Sequence, residues 1–200
     1  MTYGTNAPQG FQPVRKLDGS AWTGAANGYP IASAYATAIY TGDPVTLLSD
    51  GTIGIGVAGA AILGIFQGVE YNDAQGNRQN SPYWPAAAVT QGSVPATAFV
   101  IDDPNVVYTI QETNGSGAAG TPLALADVNL NINFVVAAGV AATGQSGTSI
   151  NNTTEQTTGT LNCKILGLDP TPGNVVGSFA NWLVAINNQV FKGGTGTDGV

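Results

Sequence analysis

From Ile31 onward, apolar and polar residues alternate in short runs divided by turn residues. VVYTIQET sets Val106, Tyr108 and Ile110 against Val107, Thr109 and Gln111, the period of two that a strand requires. PVTLLS, TIGIGVA, ILGIFQGVEY, ATAFVID and LNCKILGLD read as further strands, and SFANWLVAINN as a last strand or a short helix. IASAYATAIY alternates Ala32, Ala34, Ala36 and Ala38 with Ser33, Tyr35, Thr37 and Ile39. Its alanines permit a helix, but Tyr, Thr and Ile favour a strand. Asp50-Gly51 is a hairpin signal joining VTLLS to TIGIGVA. LALADVNLNINFVVA is partly strand-like, whereas TGQSGTSINNTTEQTTG is polar throughout and expected to be exposed. No long segment carries a helical period. Roughly eight to eleven short strands divided by turns predict an all-β fold, a single compact β-sandwich or β-barrel.

The ends differ from this middle. Residues 1–30 hold five glycines and three prolines with no sustained period, and read as an extended N-terminal arm. Phe11, Trp22 and Tyr29 are spaced along it as anchors would be; the alternative is a loop packed on its own domain. The domain proper then spans 31–192, and 193–200 is a flexible Gly-rich tail.

Composition narrows the function classes. Only 8% of the 200 residues are charged and 43% are apolar, so solubility has to come from Asn, Gln, Thr, Ser and backbone. The net charge is −7. The five cations, Arg15, Lys16, Arg78, Lys164 and Lys192, are scattered and form no track for direct nucleic-acid binding or for an anionic membrane. There is no histidine, so the commonest general base and metal ligand is missing. Cys163 has no partner for an internal disulfide and reads as a core residue. The N-terminus lacks the apolar run of a secretory signal, and the longest apolar run, Gly54 to Phe66, is Gly-interrupted and too short for a membrane span. A soluble protein made in a cytoplasm is expected.

One chemical signal needs weighing. Gly54 to Gly59 spell G-x-G-x-x-G, the spacing of a dinucleotide-binding loop. That loop requires a strand before the first glycine, a helix after the last and an acid about 20 residues on. Here a turn precedes Gly54, Gly64 and Gly68 spoil any helix, and position 79 is Gln. The stretch reads instead as a strand whose bare glycine face admits a close neighbour. Asp102-Asp103-Pro104 reads as a turned strand end, and Glu70 with Asp73 flanks a loop without an evident partner. No G-x-S-x-G elbow exists. No catalytic, cofactor or metal residue is assigned, and the chain is read as a non-enzyme that works by occupying surface.

The chain resembles the capsid decoration, or cement, proteins of tailed bacteriophages, encoded beside the major capsid protein. The residues that carry the resemblance are GFQPVRKLDGSAWTGAANGYPI, GDPV at Gly42–Val45, ILGIFQGVEYNDAQG with SPYWPA, FVIDDPNVVYTIQE, and ILGLDPTPGNVVGSFANWLVAIN. They span about residues 10 to 188; the polar 144–159 segment and the tail have no counterpart. The resemblance implies a structural virion protein on the outer capsid surface, synthesised in the host cytoplasm. It would bind as a homotrimer and staple neighbouring major capsid protein subunits against the pressure of packed DNA. Phe11, Trp22, Tyr29, Tyr83 and Trp84 are then the candidates for capsid or protomer contact, with packing inside the protomer as their alternative role. The competing reading is a carbohydrate-binding or other receptor-contacting virion component on a β scaffold.

Overall fold

The computed structural model describes residues 4–192 together with Gly196 and Gly199, so most of the expected tail lies outside the described residues. The fold is all-β. Fifteen strands run in chain order: β1 (Gln12–Lys16), β2 (Asn27–Ile31), β3 (Ile39–Tyr40), β4 (Pro44–Leu47), β5 (Ile53–Ile55), β6 (Gly64–Asn72), β7 (Arg78–Ser81) and β8 (Tyr83–Trp84); then β9 (Ala96–Ile101), β10 (Val106–Thr113), β11 (Asn131–Ile132), β12 (Phe134–Val135), β13 (Ser149–Asn151), β14 (Cys163–Leu168) and β15 (Asn181–Ile186). Three single 3-10 turns are the helical elements among the described residues.

Two sheets dominate. The larger has the order β11-β14-β15-β10-β13-β12, with β1 also on β10. β10 is its axis. One edge pairs with β15, placing Ile110 opposite Trp182 and Tyr108 opposite Val184. The other edge is shared: β1 takes its first half, antiparallel, and β13 its end, in the parallel sense. The alternation read in VVYTIQET carries Val106, Tyr108 and Ile110 into one core with Trp182, Val184, Ile186, Ile165 and Cys163. The smaller sheet has the order β2-β9-β6-β4-β5, with β7 also on β6. Its core gathers Ile31, Val45, Ile53, Leu63, Phe66, Val69, Trp84 and Val100. β6 and β9 serve both cores, because Ile65 and Ile101 turn toward the first while Phe66 and Val100 turn toward the second. A strand's opposite faces make that possible.

The Asp50-Gly51 hairpin forms as expected, with Val45, Thr46 and Leu47 opposite Ile55, Gly54 and Ile53. Gly51 holds φ +80°, and Asp50 Oδ1 accepts bonds from the Thr52 amide and hydroxyl at 2.9 and 2.7 Å. The bare face of Gly54 is filled by Tyr35: a Cβ there would lie 2.7 Å from its hydroxyl oxygen, which accepts the Ile55 N–H at 2.9 Å. The neighbour is therefore a side chain of the same protomer.

Three expectations change. IASAYATAIY is not one strand: Ile31 ends β2, only Ile39 and Tyr40 are extended, and Ala32–Ala38 turn. Ala34 sits at φ +61°, and the Tyr35 carbonyl accepts both the Ala87 N–H and the Trp84 indole, so tertiary bonds override the local pattern. The segment read as an arm supplies strands to both sheets, β1 on β10 and β2 on β9, which is the packed alternative. The polar 143–159 segment is not exposed along its length. Ser146, Thr148, Ser149, Ile150 and Asn152 are buried, and β13 runs between β10 and β12.

Asp43 explains how that polar segment is held. It is 1% exposed. Its Oδ1 accepts the Ser146 and Thr148 hydroxyls at 2.5 and 2.7 Å, and its Oδ2 the Tyr40 N–H at 2.8 Å. Gly10 and Gly42, both at positive φ, let residues 9–11 and 41–43 touch there: a Cβ on Gly10 would lie 2.6 Å from the Gly42 carbonyl oxygen. Burial drives the Asp43 carboxyl above its ordinary range despite these donors.

Candidate interaction surface

The five aromatic candidates separate by burial. Phe11 is wholly buried and meets Tyr108 and Phe134 edge-on, at centroid distances of 5.8 and 6.2 Å. Trp84 is also wholly buried, with Tyr71 against its ring at 5.2 Å. Both take the packing role, since neither offers surface to a second molecule. Phe11 stands one residue before β1, in the segment whose lack of period had suggested an arm; β10 draws that segment into the core.

Trp22, Tyr29 and Tyr83 keep part of their surface. The Tyr29 hydroxyl donates to Asp102 Oδ2 at 2.6 Å, beside two bonds from the Asn27 amide to the same carboxylate. Burial first, and then the Asp102 bond and charge, push the Tyr29 phenol up to about 12. Tyr83 stacks on Tyr40 with centroids 5.3 Å apart and planes 9° from parallel, tying β8 to β3.

Trp22 rests partly on the larger core and walls a groove of about 580 Å³ with Phe99, Pro82, Gln67 and Asn80. The groove lies between the loop joining β1 to β2, the middle of β6, the end of β7 and Phe99 of β9. Gly68 forms part of it, and a Cβ there would come within 3.2 Å of the Ser81 carbonyl oxygen. The Trp22 indole N–H is buried without an acceptor. Phe99 was not among the sequence candidates. The signal was its place in ATAFVID, out of phase with Ala98 and Val100, which face the smaller core. Around the molecule Val94 and Leu125 are each 65% exposed, Val57 61%, Val140 58% and Phe191 57%.

The carboxylates singled out from sequence have local duties. Asp103 accepts the Asn105 N–H and pairs with Lys16 at 2.9 Å, and the Asn105 bond followed by Lys16 holds its carboxyl below the ordinary range. Asp73 accepts the amides of Gln75 and Asn77 and closes the loop before β7. Glu70 does have a partner, Arg78, at 2.5 Å across the β6–β7 pair. Cys163 is buried in the larger core, where burial pushes its thiol up. Among the described residues no cluster of three or more His, Cys, Asp or Glu is placed to hold a metal ion, and no helix is long and apolar enough to cross a membrane.

Comparison with protein-family models, with curated proteins and with solved structures returned no match.

Proposed function

We propose that this protein is a structural virion component of the decoration type, which binds the outside of an assembled capsid and joins neighbouring major capsid protein subunits. The observation that carries the reading is the surface. A 200-residue chain with five cations and twelve acids leaves large aliphatic side chains such as Val94, Leu125 and Val57 in water. Interfaces that stay assembled are depleted in charge and take aromatics at their centre. The groove walled by Trp22 and Phe99 supplies such a centre, with Asn80 and Gln67 as polar rim. On this reading a capsid side chain enters the groove, and copies of the protein meet as a homotrimer over the junction between capsid subunits. The gain is mechanical: each bound copy adds interface that outward pressure has to break.

The resemblance stated above supplies the partner, and the β scaffold supplies a rigid carrier. The test is direct. Purified protein is mixed with expanded shells that lack it; bound copies are counted after sedimentation, and the temperature at which shells rupture is recorded. Retention with a higher rupture temperature, both reduced by Trp22→Ala, is expected. Shells that retain no copies and gain no stability overturn the proposal.

A further inference from the structure

The groove beside Trp22 is selective about what it can hold. No charged side chain lines it: Trp22, Phe99 and Pro82 supply apolar surface, and Gln67, Asn80 and Ser81 polar surface. In a chain of net charge −7, such a lining gives a basic segment no counter-ion and an acidic one no attraction. Charge complementarity therefore favours an uncharged occupant.

The two rings are held from opposite directions. Ala98 and Val100 face the smaller core, so Phe99 between them stands on the other face of β9, half-buried. Directly across the sheet it has glycines on both sides, Gly28 of β2 and Gly68 of β6. No side chain opposite it covers the ring. Trp22 comes from a closed turn. The Lys16 N–H donates to the Ser20 carbonyl at 2.9 Å, the Gly19 N–H to the Lys16 carbonyl at 3.0 Å, and Ala21 bridges to Arg15. Its ring rests partly on the larger core, and its indole N–H is enclosed and lends the groove no polar contact. Both aromatics are thus in place before a partner arrives, which lowers the ordering cost of binding.

The backbone around the groove narrows the partner's conformation. β9 is flanked by β2 and β6. The other edge of β6 is taken in turn by β4, by residues 41–43 and by β7: the Phe66 N–H donates to the Asp43 carbonyl, the Gly42 N–H to the Phe66 carbonyl and the Thr41 hydroxyl to the Gln67 carbonyl. A strand laid over β6 and β9 would find no ladder to join. A helix brings anchors three and four residues apart and needs a continuous apolar trough, whereas the apolar surface here is two rings and Pro82 beside polar side chains. A polyproline II segment needs neither, because water solvates its backbone and its proline rings lie on aromatic side chains. Donors for its carbonyls are at hand. Asn80 is exposed, and Gln67 uses one N–H on the Phe66 carbonyl at 3.2 Å and keeps the other.

We propose that the groove docks an uncharged, proline-bearing segment in the polyproline II conformation, with proline rings on Trp22 and Phe99 and carbonyls on the Asn80 and Gln67 amides. That the segment belongs to a capsid protein rests on the decoration reading; the docking itself can be tested on the free protein. A capped peptide of about ten residues, proline and alanine, is titrated into the full chain beside a proline-free peptide of alanine, serine and glycine. Trp84 and Trp182 are wholly buried, so the change in tryptophan emission reports Trp22. Saturable binding of the proline peptide is expected, at least about tenfold tighter than that of its control. Phe99→Leu keeps an apolar side chain and removes the ring, and should weaken binding about tenfold at an unchanged melting temperature. Asn80→Ala, at an exposed position that leaves the fold intact, should weaken it about threefold. No saturable change, equal affinity for the proline-free peptide, or affinity indifferent to both substitutions overturns the proposal. Protein that is retained on shells yet binds no proline peptide leaves the decoration reading standing and overturns this one; peptide binding without retention on shells does the reverse.

Discussion

The two cores of this protein draw on the chain in different ways. The smaller is assembled from a continuous stretch, Ile31 to Val100, through hairpins such as β4–β5 and β6–β7. The larger reaches from Phe11 to Ile186 and includes the parallel pairing of β10 with β13. Their polarity differs too. Up to residue 101 the buried polar residues are Asp43, Thr52 and Thr90; beyond it they run from Gln111 and Glu112 through Asn152 and Asn162 to Gln189. The first half buries few polar side chains, whereas the second is threaded by amides that bond backbone, as Asn162 does to the Ala60 carbonyl and the Gly59 N–H and Gln189 to the carbonyls of Leu63 and Asp102. A chain poor in charge can bury amides cheaply where they find partners, and here they fasten one segment of backbone to another.

The largest effect tests whether the halves are separable. Trp84→Ala in the small core and Trp182→Ala in the large one each remove a wholly buried indole and should cost about 3–5 kcal/mol. Because Ile65 and Ile101 carry β6 and β9 of the smaller sheet into the larger core, both variants should still unfold in one transition. Denaturant melts followed by tryptophan fluorescence and far-UV circular dichroism check this; two separated transitions would break the protein into two domains.

Next is the seam. Asp43→Ala strands the Tyr40 amide and the hydroxyls of Ser146 and Thr148, and should destabilise by about 3 kcal/mol. Hydrogen exchange should rise first around residues 144–149, while the β4–β5 hairpin stays protected. Uniform loss of protection would mean that the polar segment is not a unit of its own.

The smallest effect concerns pH. Glu112 is wholly buried, and burial, only partly countered by the Leu123 N–H and the Asn152 amide, pushes its carboxyl from the ordinary 4.5 up to about 7. The folded state therefore holds the proton to higher pH than the unfolded chain. The contribution is complete below about pH 4.5 and is lost as pH rises through about 7. Stability should fall by roughly 2 kcal/mol between pH 5 and 8, below the ~3 that the full shift implies. Glu112→Gln should flatten that slope, which thermal melts across the range will read; an unchanged slope would assign it elsewhere.

What the chain's pattern made legible follows the same division. Alternation located β6 and β10, runs of strand-forming residues located β9 and β14, and the stretch that forms β15 is legible only as a strand or a short helix. The hairpin at Asp50-Gly51 was legible because turn chemistry acts over four residues. Trp22 was marked as a surface contact and lines a groove, while its neighbour Phe99 was hidden inside a strand counted as core. Phe11 and Trp84 were marked as well, and packing claimed both.

By itself, then, the sequence determined the all-β class, most of the strand-forming stretches, the hairpin that runs into Gly54 and a chain with little charge. Tertiary structure alone decided that residues 11–31 close both sheets, that Ala32–Ala38 turn instead of extending, and that the polar 143–159 segment goes inside. The physical reason is one of range. A strand's period is set by its own side chains, but buried polar side chains such as Asp43, Ser146 and Asn162 also draw on partners that lie far away in the chain. Ser146 and Asp43 are 103 residues apart, and no local pattern records their meeting.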